Sequence, residues 1–516
     1  MANIVAAVSQ PALIVKNRTL LIAAIMLAMV MQVLDTTIAN VALPHMRAAL
    51  SASQDEVSWV LTSYIVAAAI MTPLAGWLSD RLGRRNLLLI GVAGFTAASL
   101  LCGLATSLPM MVAFRVLQGI FGATLAPLAQ AIMMDVTPRE KMGQSMAIFG
   151  LGVMVAPIIG PTLGGVLTEN LDWRWVFLVN LPVGILAFVA LWFNMPKEPL
   201  KQRRFDFFGF AMLAIAIASL QMIFDRGQGV GWFESPEIWI YTILAGSGLW
   251  MFIVHCWTAA NPFVDLKMFT DRNFVSGLFF IFLIGITAFS GLALLPPLLQ
   301  NLMGYSVIDT GILMGPRGIG TMVSMLVVGR LIGKVDARVL VITGIAISAW
   351  SLWLMTGFDL QMDGTLIMVS GFFQGVGLGL VFVPLNTLAF ATISTRLRVD
   401  ATAFFSLVRN VGQGIGISVV TTVLARMMQV NSAELAERIT LDNPAVRDFP
   451  GVLQGVGSAI GSLSGLVTQQ AAMLAYLDDF WLMAVVTLVS APLVLLLRAP
   501  KAAGAAPKPD MHAMAE

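Results

Sequence analysis

Asp35, Arg115, Arg317 and Arg409 are ionisable residues set inside long apolar runs. Ions are costly in lipid-like surroundings, so residues of this kind mark ion or substrate pathways by default. Asp35 is the most telling. It ends an apolar run and lies about 16 residues beyond Thr19, roughly 24 Å along a helix rising 1.5 Å per residue. An acid so placed is hard to keep charged, which suits a group that takes up and releases a proton; the plain alternative is a structural hydrogen bond, for example to Gln32 or Thr36. Arg115 keeps its charge at any physiological pH and can set the proton affinity of a nearby carboxylate, or it snorkels to the interface. Arg317 in GPRGIG and Arg409 in VRNVGQG sit beside glycines, which either open a cavity around them or let neighbouring helices close in. With Gln32 they are the candidates for a substrate cavity.

The elements that must carry these residues follow from composition. Apolar residues make up 58% of the chain and charged residues 11%, with a mean hydropathy of +0.87, against about 25% charged in soluble domains. This is the composition of an integral membrane protein. At about 20 apolar residues per span, about fourteen spans begin near Thr19, Glu56, Leu87, Pro109, Met142, Trp175, Phe207, Ile238, Phe274, Ile308, Val339, Gly364, Ala401 and Asp478. The amino terminus lacks a basic segment, short apolar core and small-residue cleavage site in succession, so Thr19 to Pro44 reads as a retained first span. With the amino terminus cytoplasmic, about 21 Lys and Arg fall inside against 5 outside, which supports two cytoplasmic termini and an even number of spans.

Glycine and proline patterning then shows organisation. GLGVMVAPIIGPTLGG, from Gly150 to Gly165, is a helix-length apolar segment with five glycines and two prolines; small residues there permit a tight helix crossing. GWLSDRLGRRNLLLIG from Gly76 aligns with GRLIGKVDARVLVITG from Gly329, an offset of 253 residues, and Gln118-Gly119 aligns with Gln374-Gly375 at 256. The chain therefore repeats itself, and parallel repeats of six spans are a build of transporters that bind substrate between their halves. In the loop after span two, Gly83 permits a turn between Asp80 and Arg84-Arg85, which places both charge signs at a helix junction; a positive anchor with a turn is the alternative.

These stretches resemble a family. GWLSDRLGRR (Gly76, Asp80, Gly83, Arg84, Arg85) is similar to the cytoplasmic loop signature of the major facilitator superfamily, RVLQG at Arg115 to its fourth-span motif, and the Gly150–Gly165 stretch to its fifth-span antiporter motif, here Gly152, Pro157, Gly160, Pro161, Gly164 and Gly165. LDTTIANVALP, Leu34 to Pro44, resembles the first-span motif of the fourteen-span drug:proton antiporters, and Leu220–Phe233 with Asn261–Phe274 resemble a multidrug-exporter group within them. The resemblance implies an all-helical membrane protein of the major facilitator fold, two six-helix halves plus two inserted spans, divided as 1–18 (cytoplasmic), 19–196, 197–272 (insertion), 273–498 and 499–516 (cytoplasmic tail). It implies proton coupling by Asp35 and Arg115, and a cytoplasmic gate in which Asp80, Arg84 and Asp135 latch one state; in the second half Arg338 keeps a cationic corner but Gly333 replaces the acid. Gly160, Pro161, Gly164 and Gly165 are expected to form a smooth face against a helix of the other half, sealing against proton leak. The insertion is either packing or part of the transport path.

The function so implied is proton-coupled efflux of apolar or amphipathic drugs across a bacterial inner membrane by alternating access, driven by the proton gradient with no cofactor. A periplasmic adaptor and an outer-membrane channel are the implied partners. Export of a specific metabolite or siderophore, or a non-transporting receptor or scaffold, are the alternatives, and proton movement on substrate addition separates them. Nothing reads as an enzyme or a nucleic-acid binder: Lys334 after Gly333 is followed by Val335, so no Walker pattern forms, His45, His255 and His512 are scattered, and Cys102 and Cys256 form neither a disulfide framework nor a metal site. The segment 429–477 is expected outside the membrane, with Ser432 capping a short helix in SAELAERI, as a self-packed hairpin or as the adaptor's docking surface.

Overall fold

The computed structural model describes residues 15, 17–138, 141–198, 200, 203–440, 446 and 457–496. The expected cytoplasmic ends, and Lys16, Arg139, Lys201, Arg447, Arg498, Lys501 and Lys508 from the charge tally, lie outside these residues. Among the described residues, fourteen helices are long and apolar enough to cross a membrane: α1 Arg18–Ala49, α2 Glu56–Leu82, α3 Arg84–Gly103, α4 Leu108–Asp135, α5 Met142–Asn170, α6 Trp175–Asn194, α7 Phe207–Arg226, α8 Pro236–Thr258, α9 Arg272–Leu302, α10 Val307–Leu331, α11 Ala337–Met355, α12 Gly364–Ala389, α13 Thr395–Glu437 and α14 Gly461–Leu495. The protein is a multi-pass membrane protein, all helical among the described residues.

Local chemistry sets the helix starts. Ser53 and Glu56 form a reciprocal capping box at α2, and Ser306, Asp336 and Asp363 accept backbone N–H bonds at the starts of α10, α11 and α12, satisfying donors that a helix terminus leaves unpaired. Gly83 turns the chain between α2 and α3 at φ +79°, where a Cβ would be strained.

The repeat is visible in the packing. In the first half α1 packs on α5, α2 on α4, α3 on α4 and α3 on α6; in the second half α9 packs on α13, α10 on α12, α11 on α12 and α11 on α14. The halves meet along α5 and α10, and where the Thr72–Leu82 part of α2 and the end of α4 reach α13. The insertion is not symmetric with anything. Its α7 packs on α8, on α2 and on α13, while α8 turns Trp239, Trp250 and Trp257 outward.

Two sequence expectations change here. The last span does not begin near Asp478: its helix runs Gly457–Val489. Nor does Ser432 start a helix, because Arg398–Glu437 is one uninterrupted 40-residue helix passing through it. The reason is length. Forty residues span roughly 60 Å, twice the ~30 Å hydrocarbon thickness, so much of segment 429–477 is continuation of the spans themselves.

Candidate functional site

Five helices of the first half bring one polar cluster into its interior. Asp35 on α1 is fully buried, and its Oδ2 accepts from Arg115 Nη1 of α4 at 2.6 Å. Its Oδ1 accepts from Gln118 Nε2 of α4 and Asn180 Nδ2 of α6, both at 2.8 Å. Arg115 also donates to Gln118 Oε1 (2.7 Å) and, through Nε, to the Val60 carbonyl of α2 (2.9 Å), while its guanidinium lies 4.3 Å above the Tyr64 ring. Asn180 donates a second bond to Ser99 of α3 at 3.0 Å. Arg115 is therefore no snorkelling side chain; it is fully buried as the counter-ion of Asp35. Thr36 bonds instead to the Val33 carbonyl, and Gln32 Oε1 is buried without a partner, so neither supplies the expected bond to Asp35.

A buried ion pair survives only when its remaining lone pairs and protons are satisfied. Here Gln118 and Asn180 satisfy Asp35 Oδ1, and the Val60 carbonyl and Gln118 Oε1 accept from Arg115 Nε and Nη1, while Nη2 has no hydrogen-bond partner; the charge state of one carboxylate is thus tied to four helices. A proton on Asp35 removes the anion that holds Arg115 and changes what Gln118 and Asn180 face. Gln118 was visible in RVLQG as a repeat marker; Asn180 and Ser99 carried no signal beyond being polar in apolar surroundings.

The second constellation joins the halves at the Gly83 end. Asp135, at the end of α4 and fully buried, pairs with Arg84 of α3 and with Arg398 of α13. Arg84 also approaches Glu198 at 3.5 Å. Arg203, in the segment entering α7, bonds Asp400 of α13 at 3.0 Å and lies 3.9 Å from Asp80. Arg84 and Asp135 thus meet as expected, whereas Asp80 faces Arg203, and Arg85 points to α6, donating to the Trp192 carbonyl at 2.8 Å with its guanidinium over that ring. Arg338 joins no ion pair among the described residues. Asp400 of the second half lies over the first half's loop: Gly76 is a glycine because a Cβ there would overlap the Asp400 carboxylate and stand 3.3 Å from its Cα. Deeper in, Gln130 Nε2 donates to Asn386 Oδ1 at 2.7 Å and Thr402 to the Pro127 carbonyl at 3.0 Å, both across the halves.

The fifth-span motif divides its work. Gly152, Gly160 and Gly164 lie against α1 of their own half: a Cβ at Gly164 would stand 3.2 Å from the Ile38 carbonyl, and one at Gly160 would overlap Thr37. Gly165 alone of that set faces the other half, at Val307 (2.6 Å). The expected smooth face toward the second half is therefore mostly a face toward α1, since a helix as central as α5 must pack closely on two neighbours. Pro157 and Pro161 lie inside the helix. Arg317 and Arg409 are both buried in the second half, Arg317 donating to the Ala288 carbonyl at 2.9 Å.

Comparison with known proteins decides the family. The profile of the Major Facilitator Superfamily matches residues 25–417. The chain belongs to the major facilitator superfamily. It is 35% identical over 488 residues to the multidrug export protein EmrB of Escherichia coli (strain K12), covering 93% of this chain and 95% of that one, and 34% identical over 481 residues to the fatty acid resistance protein FarB of Neisseria gonorrhoeae, covering 92% and 95%. Among solved structures it resembles the human organic anion transporter MFSD10 (TM-score 0.57, 14% identity, 91% of this chain and 99% of that one) and the proton:xylose symporter XylE (TM-score 0.55, 14% identity, 90% and 94%). These two speak for the fold alone. Within the superfamily fold, the Asp35 cluster lies inside one six-helix half and the Asp135 cluster between the two halves.

Proposed function

We propose that this superfamily member exports apolar or amphipathic compounds in exchange for protons, by alternating access. One observation carries the reading: the fully buried Asp35 carboxylate bound by Arg115, Gln118 and Asn180. Protonation neutralises the acid, releases Arg115, and so biases α1, α2, α4 and α6 together. The Asp135 and Asp400 ion pairs hold the Gly83 end closed, and their rupture opens it. The sequence kinship with EmrB and FarB supports export of such compounds. The chain is not an enzyme on this reading, and it uses the proton gradient in place of a cofactor.

The charge distribution supports a bacterial inner-membrane location with the Gly83 end and both termini cytoplasmic. The ends of α13 and α14 then project into the periplasm, where an adaptor leading to an outer-membrane channel docks on segment 429–477. Replacing 433–465 by a short Gly/Ser linker should leave transport in proteoliposomes intact and abolish adaptor pull-down and whole-cell resistance; unchanged recovery of the adaptor removes the docking role from the segment.

Reconstituted Asp35→Asn tests the central claim. Asn keeps the volume and an acceptor oxygen but cannot carry the charge or exchange the proton. Substrate-driven proton uptake should fall to the level of empty liposomes while the protein stays monodisperse. Full coupled transport by this variant refutes proton coupling at Asp35, and transport without proton movement in the wild type favours the metabolite-exporter alternative running on another gradient.

A further inference from the structure

The second half contains the Asp35 site with its carboxylate left out. Gln118 and Gln374 are 256 residues apart and hold the same place on α4 and α12. Gln130 and Asn386, also 256 apart, verify that register by bonding to each other across the halves. The glycine after each glutamine extends the comparison: a Cβ at Gly119 would meet the Tyr64 carbonyl at 2.5 Å, and one at Gly375 would overlap the Arg317 carbonyl. Arg317 on α10 therefore stands where Tyr64 stands on α2, at the offset of 253. The position corresponding to Arg115 is Gly371, whose Cβ would lie 3.6 Å from that of Arg317. The guanidinium has moved one helix over and stayed in the same layer.

What has no counterpart is the acid. Offsets of 253 and 256 carry Asp35 onto Ala288 and Gly291 of α9. These are the two residues the Arg317 side chain approaches: Nη2 donates to the Ala288 carbonyl at 2.9 Å, and a Cβ at Gly291 would stand 3.4 Å from Arg317 Nη1 and 3.4 Å from Gln374 Nε2. Two donors, one of them charged, thus border a single point that Gly291 leaves free of side chain, as Arg115 Nη1 and Gln118 Nε2 converge on Asp35. Arg317 is 2% exposed and its Nη1 has no partner. Among the described residues no carboxylate forms an ion pair with Arg317 or with Arg409, itself buried on α13. An unpaired buried cation is among the most expensive features a fold can keep.

We propose that the missing carboxylate belongs to the transported molecule: Arg317 and Gln374 form a binding site for the anionic head of an amphipathic substrate. On one side Leu294, Leu295 and Ile367 of α9 and α12 form a buried apolar cluster with Leu313 and Met314 of α10, while Ser290 and Ser370 are buried beside Gly291 and Gly371, which suits one polar head and an apolar remainder. The site also borders the other half, since a Cβ at Gly318 would stand 3.4 Å from Ile158 of α5. Occupancy there neutralises a cation in the second half as Asp35 neutralises one in the first.

The proposal deepens the exporter reading, and binding to the full-length protein in detergent at neutral pH tests it without any proton gradient. The probes are dodecanoate, dodecanol, dodecylammonium and chloride alone. Wild type should bind dodecanoate at least tenfold more tightly than dodecanol or dodecylammonium. Arg317→Gln should erase that preference, and Arg317→Lys should restore part of it. Gly291→Asp installs the carboxylate where a Cβ already fits; it should leave the melting temperature unchanged or higher and also erase dodecanoate binding. Wild type that binds dodecanol as well as dodecanoate, chloride that displaces dodecanoate at equal affinity, or dodecanoate binding unchanged in both Arg317→Gln and Gly291→Asp overturns the assignment. Loss of substrate-driven proton uptake with dodecanoate binding intact counts against antiport and leaves the anion site standing.

Discussion

Arg398→Gln should unlatch the Gly83 end. Arg398 is the cation of the second half that pairs with Asp135 of the first. The Asp135 side chain is fully buried and that of Arg398 is 16% exposed, so solvent screens the pair little. A hydrogen bond to a charged group contributes about 1.5–3 kcal/mol. Removing one partner of a buried pair commonly costs more because a bare charge remains, but Asp135 keeps Arg84 as a counter-ion within its own half. The change therefore belongs near the lower figure, about 2 kcal/mol, or roughly 30-fold in the ratio of closed to open forms at 1.4 kcal/mol per tenfold. Only the closed form loses this bond, so the whole effect falls on the conformational equilibrium. Spin labels at Lys141→Cys and Thr395→Cys, both exposed and on opposite halves at this end, report the separation; the native Cys102 and Cys256 are buried and stay silent. The short-distance population should collapse in Arg398→Gln and persist in Arg85→Gln, whose side chain faces α6. An unchanged distance distribution in Arg398→Gln, or an equal shift in Arg85→Gln, refutes the latch.

Asp35→Leu alone leaves Arg115 buried without a counter-ion and should cost about 3–5 kcal/mol, whereas Asp35→Leu with Arg115→Leu should recover most of it; additive losses in thermal melting would show that the two do not act as a pair. Gly164→Leu drives a side chain into the Ile38 backbone and should cost about 1–3 kcal/mol as overpacking, while Gly315→Ala, with open space around it, should melt like the wild type; equal melting of all three proteins removes the close α1–α5 contact. Asp479 on α14 is fully buried with neither carboxylate oxygen hydrogen-bonded, so Asp479→Leu should raise stability by about 1–3 kcal/mol, and a lower melting temperature would mean that a favourable partner for the acid exists.

Legibility followed the range of the interaction. Span number, the starts of all but the last span, and the repeat were readable because they rest on local hydropathy, caps and turn glycines. The ion pair of Asp35 with Arg115 was half readable: burying a charge is expensive wherever it sits, so both residues stood out, but their contact joins helices 80 residues apart and no local pattern encodes that. Asn180 was invisible because a single asparagine near a helix start reads equally as a turn. Asp400 and Arg398 were missed for a different reason. Their stretch, RLRVD, reads in sequence as an ordinary charged loop; in the fold it is the first turn of α13, and it becomes a latch only when α13 meets α2 and α4. The fifth-span glycines told that something packs closely and not what, since a missing Cβ is equally suited to α1 and to α10.

The insertion bears on how the halves can move. α2 and α13 belong to opposite halves and approach each other chiefly over Thr72–Leu82, with α7 packed on both. Opening the Gly83 end must separate that stretch, so α7 has to follow one helix and slip past the other. Its contacts permit this. Beyond its end, Gln228 donates to the Thr421 carbonyl of α13 at 3.3 Å, a long exposed bond, and at Gly414 the neighbours of a Cβ would be Phe224 and the Gln221 amide at 3.5–3.9 Å. Apolar contact is non-directional and a glycine offers no knob to lock against, so the α7–α13 surface resists sliding far less than the interlocked glycine crossing of Gly143 with Ile332 and Gly329 with Ala147, where the Cβ distances are 3.0 Å. Under the alternating access proposed above, the α5–α10 seam is thus the stiff line about which the halves rock, and α7 is the side on which they shear.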